Sequence, residues 1–240
     1  MATVQISVII PTLNEGANIE SAVKAARAAG ASQIIVSDGG SDDATVRLAE
    51  KAGALVVLGT TGRGNQLQQG ADLADADLLL FLHADCRFEA DAWESLKADF
   101  LKHMTESPAK KPAKQPVHHV YWGAFEQRIN DSRWRFRLLE RGNALRIRWR
   151  GMPFGDQAMF VDRVSFQQVG GFPQVPLMED VGLSQRLRRR RWPILRREVV
   201  IVDARRWQAR GVIKQTLRNW VIQLAHLLGV SESTLSSWYR

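Results

Sequence analysis

Cysteine is almost missing from this chain of 240 residues: Cys86 stands alone, and no disulfide can form within the chain. A disulfide-stapled secreted scaffold is thereby excluded, and a reducing cytoplasm fits. Long apolar runs are also lacking. None approaches the ~20 residues that a membrane-spanning helix needs, and Met1 to Ile10 has neither the basic start nor the apolar stretch of a signal peptide. The expectation is a cytoplasmic protein, soluble or held peripherally on the inner face of a membrane. No internal repeat is visible. Negative charge is scarce: 25 acidic residues against 33 Lys and Arg leave a net charge of +8 and a pI near 10.1. Such a balance favours an anionic partner, whether nucleic acid, an acidic membrane surface or phosphorylated substrates. The excess is clustered, with seven arginines in Arg133 to Arg150 and seven more in Arg186 to Arg197. Clusters of that density predict at least one anion-facing surface.

What is present suffices for a core. Hydrophobic residues make up 45% of the chain, so neither disulfides nor a structural metal is needed, and the length suits one α/β domain. The first half alternates strand and helix signals. Ile6 to Ile10 is an apolar, β-branched run stopped by Pro11, and Ile34 to Val36, Leu55 to Leu58 and Leu78 to Leu82 repeat the pattern. Asn18 caps a helix whose Ile19, Ala22, Val23 and Ala26 share a face, Ser41 caps another over Ala44 to Ala52, and Asn65 to Leu73 forms a third. The alternation predicts βαβ units and a mostly parallel sheet covered on both faces.

Further along, Glu89 to Phe100 reads as helix and Lys102 to His119 as a mobile basic loop. Val120 to Ile129 reads as strand, Asp131 to Arg150 as an arginine-rich helix, Gln157 to Val161 as strand, Glu179 to Arg190 as helix and Val199 to Val202 as a late strand. Near the end Ile213, Leu217, Trp220, Val221, Leu224 and Leu228 recur at three- and four-residue intervals. That is an amphipathic helix, which packs on the domain or, with Lys214 and Arg218, docks on a membrane surface.

In open α/β sheets ligands bind beyond the carboxyl ends of the strands. The segments there are Pro11 to Glu15, Asp38 to Asp43, Thr60 to Gly64 and His83 to Asp85; all are polar or glycine-rich, and three carry carboxylates. Asp85 leaves an apolar strand directly, a position that suits a hard divalent cation bridging a diphosphate, although many such aspartates merely cap a following helix. Asp180 has a similar double reading, as a working carboxylate or as an acidic residue favoured at a helix start. Asp156 is either a turn cap or an acceptor ligand, and Cys86 reads as a structural neighbour of the site.

Pro11-Thr12-Leu13-Asn14-Glu15, Ser37-Asp38-Gly39-Gly40-Ser41, His83-Ala84-Asp85, Gly170-Gly171-Phe172 and Met178-Glu179-Asp180 follow one another in order. Together they resemble glycosyltransferase family 2, whose members carry Pro-Xaa-Xaa-Asn-Glu, Asp-Gly-Ser, Asp-Xaa-Asp, Gly-Gly-Phe and Glu-Asp segments over a comparable stretch, here Ser7 to Leu187. Arg206-Trp207 resembles the Arg-Trp segment of many members. With Gly155-Asp156-Gln157, the set looks like a small bacterial branch named for association with radical-SAM and selenodomain proteins.

The resemblance implies a GT-A fold: a Rossmann-like, mostly parallel α/β sheet flanked by helices, with amphipathic helices at the C-terminus. Residues 1–101 would form a nucleotide-binding half, 102–119 the loop, 120–210 an acceptor and catalytic half, and 211–240 a helical segment of one domain. It also implies site roles. Asp38 meets the base or ribose of a nucleotide-sugar donor, with Pro11 and Glu15 shaping that pocket and Arg63 steadying the nucleotide or its phosphates. Asp85 binds Mg²⁺ or Mn²⁺. Asp180 is the general base and Glu179 supports it or the acceptor, while Asp156, Arg206 and Trp207 meet the acceptor. One departure stands out: His83 occupies the first position of Asp-Xaa-Asp. Neutral imidazole suits Mg²⁺ poorly and Mn²⁺ better, so His83 is expected on ribose or phosphate, with Asp85 as the one protein ligand.

The physical logic runs parallel to the resemblance. A departing nucleoside diphosphate gains negative charge that a cation and arginines stabilise, and an acceptor hydroxyl needs a carboxylate to take its proton. Attack opposite the leaving group inverts the anomeric centre. The expected partners are therefore a nucleotide sugar, an unidentified acceptor that is anionic or lipid-linked, and an anionic membrane surface. Two rivals fit less well. A nucleotidyltransferase would carry a basic residue in a glycine-rich loop after its first strand, and Pro11 to Gly16 has neither Lys nor Arg. A basic nucleic-acid-binding protein would explain the charge but not the carboxylate rim, so no nucleic acid is expected.

Overall fold

The computed structural model describes residues 4–88, 92–106, 120–175, 177–205 and 207, and isolated positions from 211 to 238. Strands β1 (Ile6–Thr12), β2 (Gln33–Asp38), β3 (Leu55–Leu58) and β4 (Leu78–Phe81) alternate with helices α1 (Ile19–Ala28), α2 (Thr45–Lys51) and α3 (Arg63–Asp72). The four strands are parallel to one another in the order β3-β2-β1-β4. Then follow β5 (Cys86–Phe88), α4 (Ala92–Glu106), β6 (Trp122–Ile129), α5 (Trp134–Arg150), a 3₁₀ turn at Gly155–Gln157, β7 (Phe160–Asp162), α6 (Arg163–Gln168), α7 (Glu179–Arg188) and β8 (Ile194–Val202). They extend the sheet as β7-β6-β8-β5, where β7 is antiparallel to both β4 and β6, β6 and β8 are parallel, and β5 is antiparallel to β8. Four of the seven pairings are thus parallel.

Alternation sorts the strands onto two cores. Ile6, Val8 and Ile10 of β1 and Leu78 and Leu80 of β4 face α1 and α4, whereas Ile9, Leu79 and Phe81 face α3, α6 and α7. Helix α1 buries Ile19, Ala22, Val23 and Ala26, the face expected from its spacing. The sheet curls. Strands β4 and β5 stand four places apart in it, about 19 Å if flat, yet only 82–85 join them, and those residues turn with Cys86 N–H donating to His83 O at 3.0 Å. The far edge therefore folds back, and the exits of β1, β2 and β4 face the second half of the chain.

Several sequence expectations need correction. The segment after Asp85 is first a short strand, β5, and the helix there runs Ala92–Glu106, so 102–106 is helical rather than loop; 107–119 lies outside the described residues. The strand expected at Gln157 to Val161 splits into the 3₁₀ turn and β7, because Ala158 takes a positive φ of 49° between them. Asn18 stands at the N-cap of α1 as expected, but its side chain makes no capping bond and its amide donates to Glu15 Oε2 at 2.8 Å; Ser41 does not cap α2, whose N-cap is Ala44, and its hydroxyl donates to Asp38. Most of the C-terminal amphipathic stretch lies outside the described residues, and where it is described the buried face is Ile222 and Ala225, leaving Val221 and Leu224 exposed. Ile222, Ala225 and Leu235 pack with Leu177 and Met178, just ahead of α7. No helix among the described residues is long and apolar enough to cross a membrane.

Candidate active site

Strand exits build the first lobe. Asp38 ends β2, fully buried, and its carboxylate accepts four hydrogen bonds from nearby: Thr12 and Ser41 hydroxyls at 2.9 and 2.6 Å, and the Gly40 and Ser41 amides at 3.0 and 2.7 Å. Burial alone would raise its pKa; the bonds from Ser41, Thr12 and Gly40 outweigh it and hold the carboxyl below its usual range. Asp38 therefore ties Thr12 and the Gly40–Ser41 turn into a wall at the exits of β1 and β2. Gln66 of α3 completes the wall from beneath, its amide donating to Thr12 O at 2.6 Å and Ser37 O at 3.0 Å. Pro11 lies beside Ser37 in the parallel register, and Glu15 opens the turn before α1 with its N–H on the Thr45 hydroxyl at 2.8 Å.

Helix α3 then links this lobe to the second. Arg63, its first residue, pairs with Glu179 of α7 at 3.7 Å. The helices meet closely because residue 64 is glycine: a Cβ there would lie 3.0 Å from Pro173 O and 3.2 Å from Glu179 Cβ. Met178, just before Glu179, holds a left-handed conformation (φ 67°) that costs a non-glycine residue strain of order 1 kcal/mol. Glu179 is 97% buried, as its 3% exposure shows. Burial and the neighbouring Asp180 charge push its pKa up to about 7, against the pull of Arg63.

That shift has a stability consequence. Well below pH 4.5 Glu179 is protonated in both states and costs nothing; as pH rises to about 7 the unfolded chain ionises it first, and folding then has to bury the acid form or the charge. The cost is complete above about pH 7. Glu179→Gln should therefore melt higher than the parent at pH 8 and lose that advantage at pH 4. An identical melting difference at both pH values would contradict the shift.

The second lobe centres on the 3₁₀ turn. Asp180 Oδ2 accepts from Gly155 N–H at 2.8 Å and Oδ1 from Val181 N–H at 2.7 Å, which fixes the carboxylate between the turn and α7. His83 is buried against the same turn: a Cβ on Gly155 would lie 2.9 Å from His83 Nε2 and 3.7 Å from Asp180 Oδ2. The Cys86 thiol lies 3.7 Å from Asp85 Oδ1 and 4.0 Å from Asp156 O, so Asp85 belongs to the group. The backbone O of Asp85 accepts from Asp203 N–H at 3.3 Å.

Asp156 receives the Gln127 amide on Oδ2 at 2.9 Å, while its Oδ1 is buried with no partner among the described residues. Burial pushes its carboxyl up; Arg146 and Gln127 pull it down, and Asp180 and Asp85 push it further up. Arg146, from α5, lies 3.4 Å over the Phe154 ring and donates to Gln157 Oε1 at 2.7 Å, Met152 O at 3.0 Å and Asn143 Oδ1 at 3.2 Å. Burial brings its pKa down to about 10, against the attraction of Asp156 and Asp180. Gln157 in turn accepts from Phe154 N–H at 3.1 Å.

Asp85, Asp156, Asp180 and His83 thus converge, with Arg63 and Glu179 adjoining and Pro11, Glu15 and Asp38 in the first lobe. Trp207 packs instead in the core, edge-on to Phe136 with ring centroids 6.3 Å apart, and Arg206 lies outside the described residues. Gln66, Gln127 and Arg146 join the candidate site and were not singled out by the sequence, being neutral amides and one arginine among many without a motif of their own; Gln157 was flagged only through the Gly-Asp-Gln string. Among the described residues no group of three or more His, Cys, Asp or Glu is placed to hold a metal ion.

Residues 7–166 match the family described as Glycosyl transferase family 2. Over 87 residues the chain is 36% identical to glycosyltransferase AglJ of Haloferax volcanii, covering 35% of this chain and 29% of that one. Among solved structures it is similar to the mannosyltransferase PcManGT of Pyrobaculum calidifontis in complex with GDP-Man and Mn²⁺, with a TM-score of 0.62 and 19% identity over 94% of this chain and 62% of that one. Glucosyl-3-phosphoglycerate synthase of Mycobacterium tuberculosis, with Mn²⁺, UDP and phosphoglyceric acid, gives a TM-score of 0.55 and 19% identity over 83% and 69%. TarS 1–349 of S. aureus with UDP-GlcNAc gives 0.57 and 15% over 83% and 58%. The chain spans less than a third of AglJ and roughly six to seven tenths of these structures. At such identities the structures speak for the fold, which is that of GT-A glycosyltransferases. With two-thirds of its length matched, the chain belongs to glycosyl transferase family 2.

Proposed function

We propose that this protein is an inverting glycosyltransferase that moves a sugar from a nucleoside-diphosphate sugar to a lipid-linked or otherwise anionic acceptor. The observation that carries the reading is the meeting of two carboxylates from opposite halves of the chain: Asp85 at the exit of β4 and Asp180 at the start of α7, both against the Gly155–Gln157 turn.

The division of labour follows from what surrounds each. The wall built by Asp38, Thr12 and Gln66 receives the nucleotide, and Pro11 and Glu15 flank it. Arg63 reaches the same seam and offers positive charge to the diphosphate. A divalent cation fits if it arrives with the donor: one carboxylate, Asp85, with diphosphate oxygens and water is a shell that Mg²⁺ and Mn²⁺ accept. The similar structures that hold Mn²⁺ beside GDP-Man or UDP support it. Such a cation would stabilise the charge that develops on the leaving diphosphate.

Asp180 has its carboxylate fixed by two backbone N–H groups, so it is oriented before the acceptor arrives. It takes the acceptor proton as the hydroxyl oxygen bonds to the anomeric carbon and the bond to the diphosphate oxygen breaks on the opposite face, which inverts the centre. Burial raises the Glu179 pKa and so opposes a second full charge beside Asp180. Asp156 and Arg146 frame the acceptor side.

A thermal-shift series with UDP-glucose, UDP-GlcNAc and GDP-mannose, with and without Mn²⁺, tests the donor half. A ligand at about 100 times its Kd stabilises the folded state by about 2.7 kcal/mol. At least one nucleotide sugar should raise the melting temperature more with Mn²⁺ than without. No shift from any of them, nor from UDP or GDP, would remove the reading.

A further inference from the structure

Helix α5 has two apolar faces, and the fold uses only one. Phe136 and Ile147 are buried and Leu139 packs against the same core as Phe136, while Asn143 and Arg146 on the same side join the site network. On the opposite side Trp134, Leu138, Gly142, Leu145 and Trp149 follow at intervals of four, four, three and four, which places them within about 80° of arc along about 22 Å of helix. All five are exposed, Trp134 by 66% and Trp149 by 76%. Single exposed apolar residues are ordinary; a contiguous stripe ending in tryptophan at both ends is not.

The borders of the stripe say what covers it. Arg141 and Arg148 flank one side and Arg135 the other, all exposed, with Arg135 lying over the Trp134 ring at 5.9 Å. The one acidic residue of α5, Glu140, is turned inward to Ile129 N–H and Arg137. Glu126 and Asp131 at the margins are engaged by Arg148 and Arg133. The second basic cluster adjoins: Arg188 donates to Arg150 O at 2.6 Å, and half-exposed Trp192 lies 3.2 Å from a Cβ built on Gly151. Tryptophan and leucine on a face rimmed by arginine and cleared of carboxylates is the composition of a helix lying in a bilayer interface.

We propose that this outer face of α5 docks on an anionic lipid bilayer. The surface deepens the acceptor half of the reading above and is independent of its donor half. It places Asn143, Arg146 and the Gly155–Gln157 turn one helix diameter, about 10–12 Å, behind the headgroups, within reach of an acceptor that stays in the membrane.

Flotation of the full chain with phosphatidylcholine vesicles containing about one-third phosphatidylglycerol is the test, with thermal shift by nucleotide sugar on the same samples. The protein should float at low salt, bind less at high salt, and bind pure phosphatidylcholine poorly. Trp134→Ser with Trp149→Ser should lower partitioning at least about tenfold. Arg135→Glu with Arg141→Glu should do so by more than about tenfold, each lost arginine accounting for about fivefold. None of the four side chains enters the site network, so the response to nucleotide stays as in the parent; if the parent itself lacks that response, the donor reading fails while this one stands or falls on the vesicles. No flotation at low salt, or flotation unchanged in the tryptophan variant, overturns the proposal. So does a dimer in analytical ultracentrifugation that Trp149→Ser dissolves, since a second copy would then own the face.

Discussion

Replacing Asp180 by asparagine should lower sugar transfer by about 10²–10⁴, the usual worth of a positioned base, with donor affinity nearly unchanged. The side chain keeps its size but cannot take up the acceptor proton. The structure adds a secondary cost. Each Asp180 oxygen accepts one backbone N–H, from Gly155 and from Val181. Asparagine offers a single oxygen, so one N–H loses its partner at about 1–3 kcal/mol if it stays dry. Stability therefore has to be measured beside turnover. A helix-start role alone predicts the stability loss and near-normal turnover, which would falsify the assignment and turn attention to Glu179 or Asp156.

For Asp85→Asn the expected loss is in cation-dependent donor binding. A charge-assisted contact to a bound ion is worth about 1.5–3 kcal/mol, so affinity for UDP or GDP in Mn²⁺ should fall about 10- to 100-fold. Without Mn²⁺ parent and variant should bind alike. The fold should survive, because Asp85 holds β8 through its backbone O on Asp203 N–H rather than through the carboxylate. Calorimetry with and without Mn²⁺ reads both values, and equal affinities in Mn²⁺ would take Asp85 out of the site. His83 would then be the residue to examine, since it lies on the same turn.

Periodicity and strand exits carried most of the first half of this molecule. The buried face of α1 and the bounds of β3 follow from spacing and from β-branched runs, which are local properties. Strand β5 and helix α6 escaped because three and six residues are too short to show a period, and β5 exists only through its pairing with β8, over a hundred residues away. Helix α5 was legible as an arginine-rich helix but its faces were not, because two apolar stripes interleaved with arginines cancel one another in any single-face reading. The carboxylates of the site were legible because charged residues at strand exits are conspicuous. Gln66 and Gln127 were not, since an amide declares its role only through the partners that the fold brings to it. Trp207 shows the converse, a motif residue that the fold spends on packing against Phe136.

The closing of the sheet by β8 also sets an order of assembly. A ribosome adds about 5–20 residues per second, so β5 leaves it several seconds before the strand it pairs with, and β6 waits with an open edge for the same partner. Until Ile194–Val202 emerges, two strands of the growing chain offer unpaired N–H and C=O groups to any neighbour. The parallel β3-β2-β1-β4 block can form from local crossovers, but the loop that presents Asp85 gains its anchor, Asp203, only at the end. A chain stopped short of Ile194 would therefore keep the parallel block but carry two adhesive edges, on β5 and β6, that a chaperone must cover.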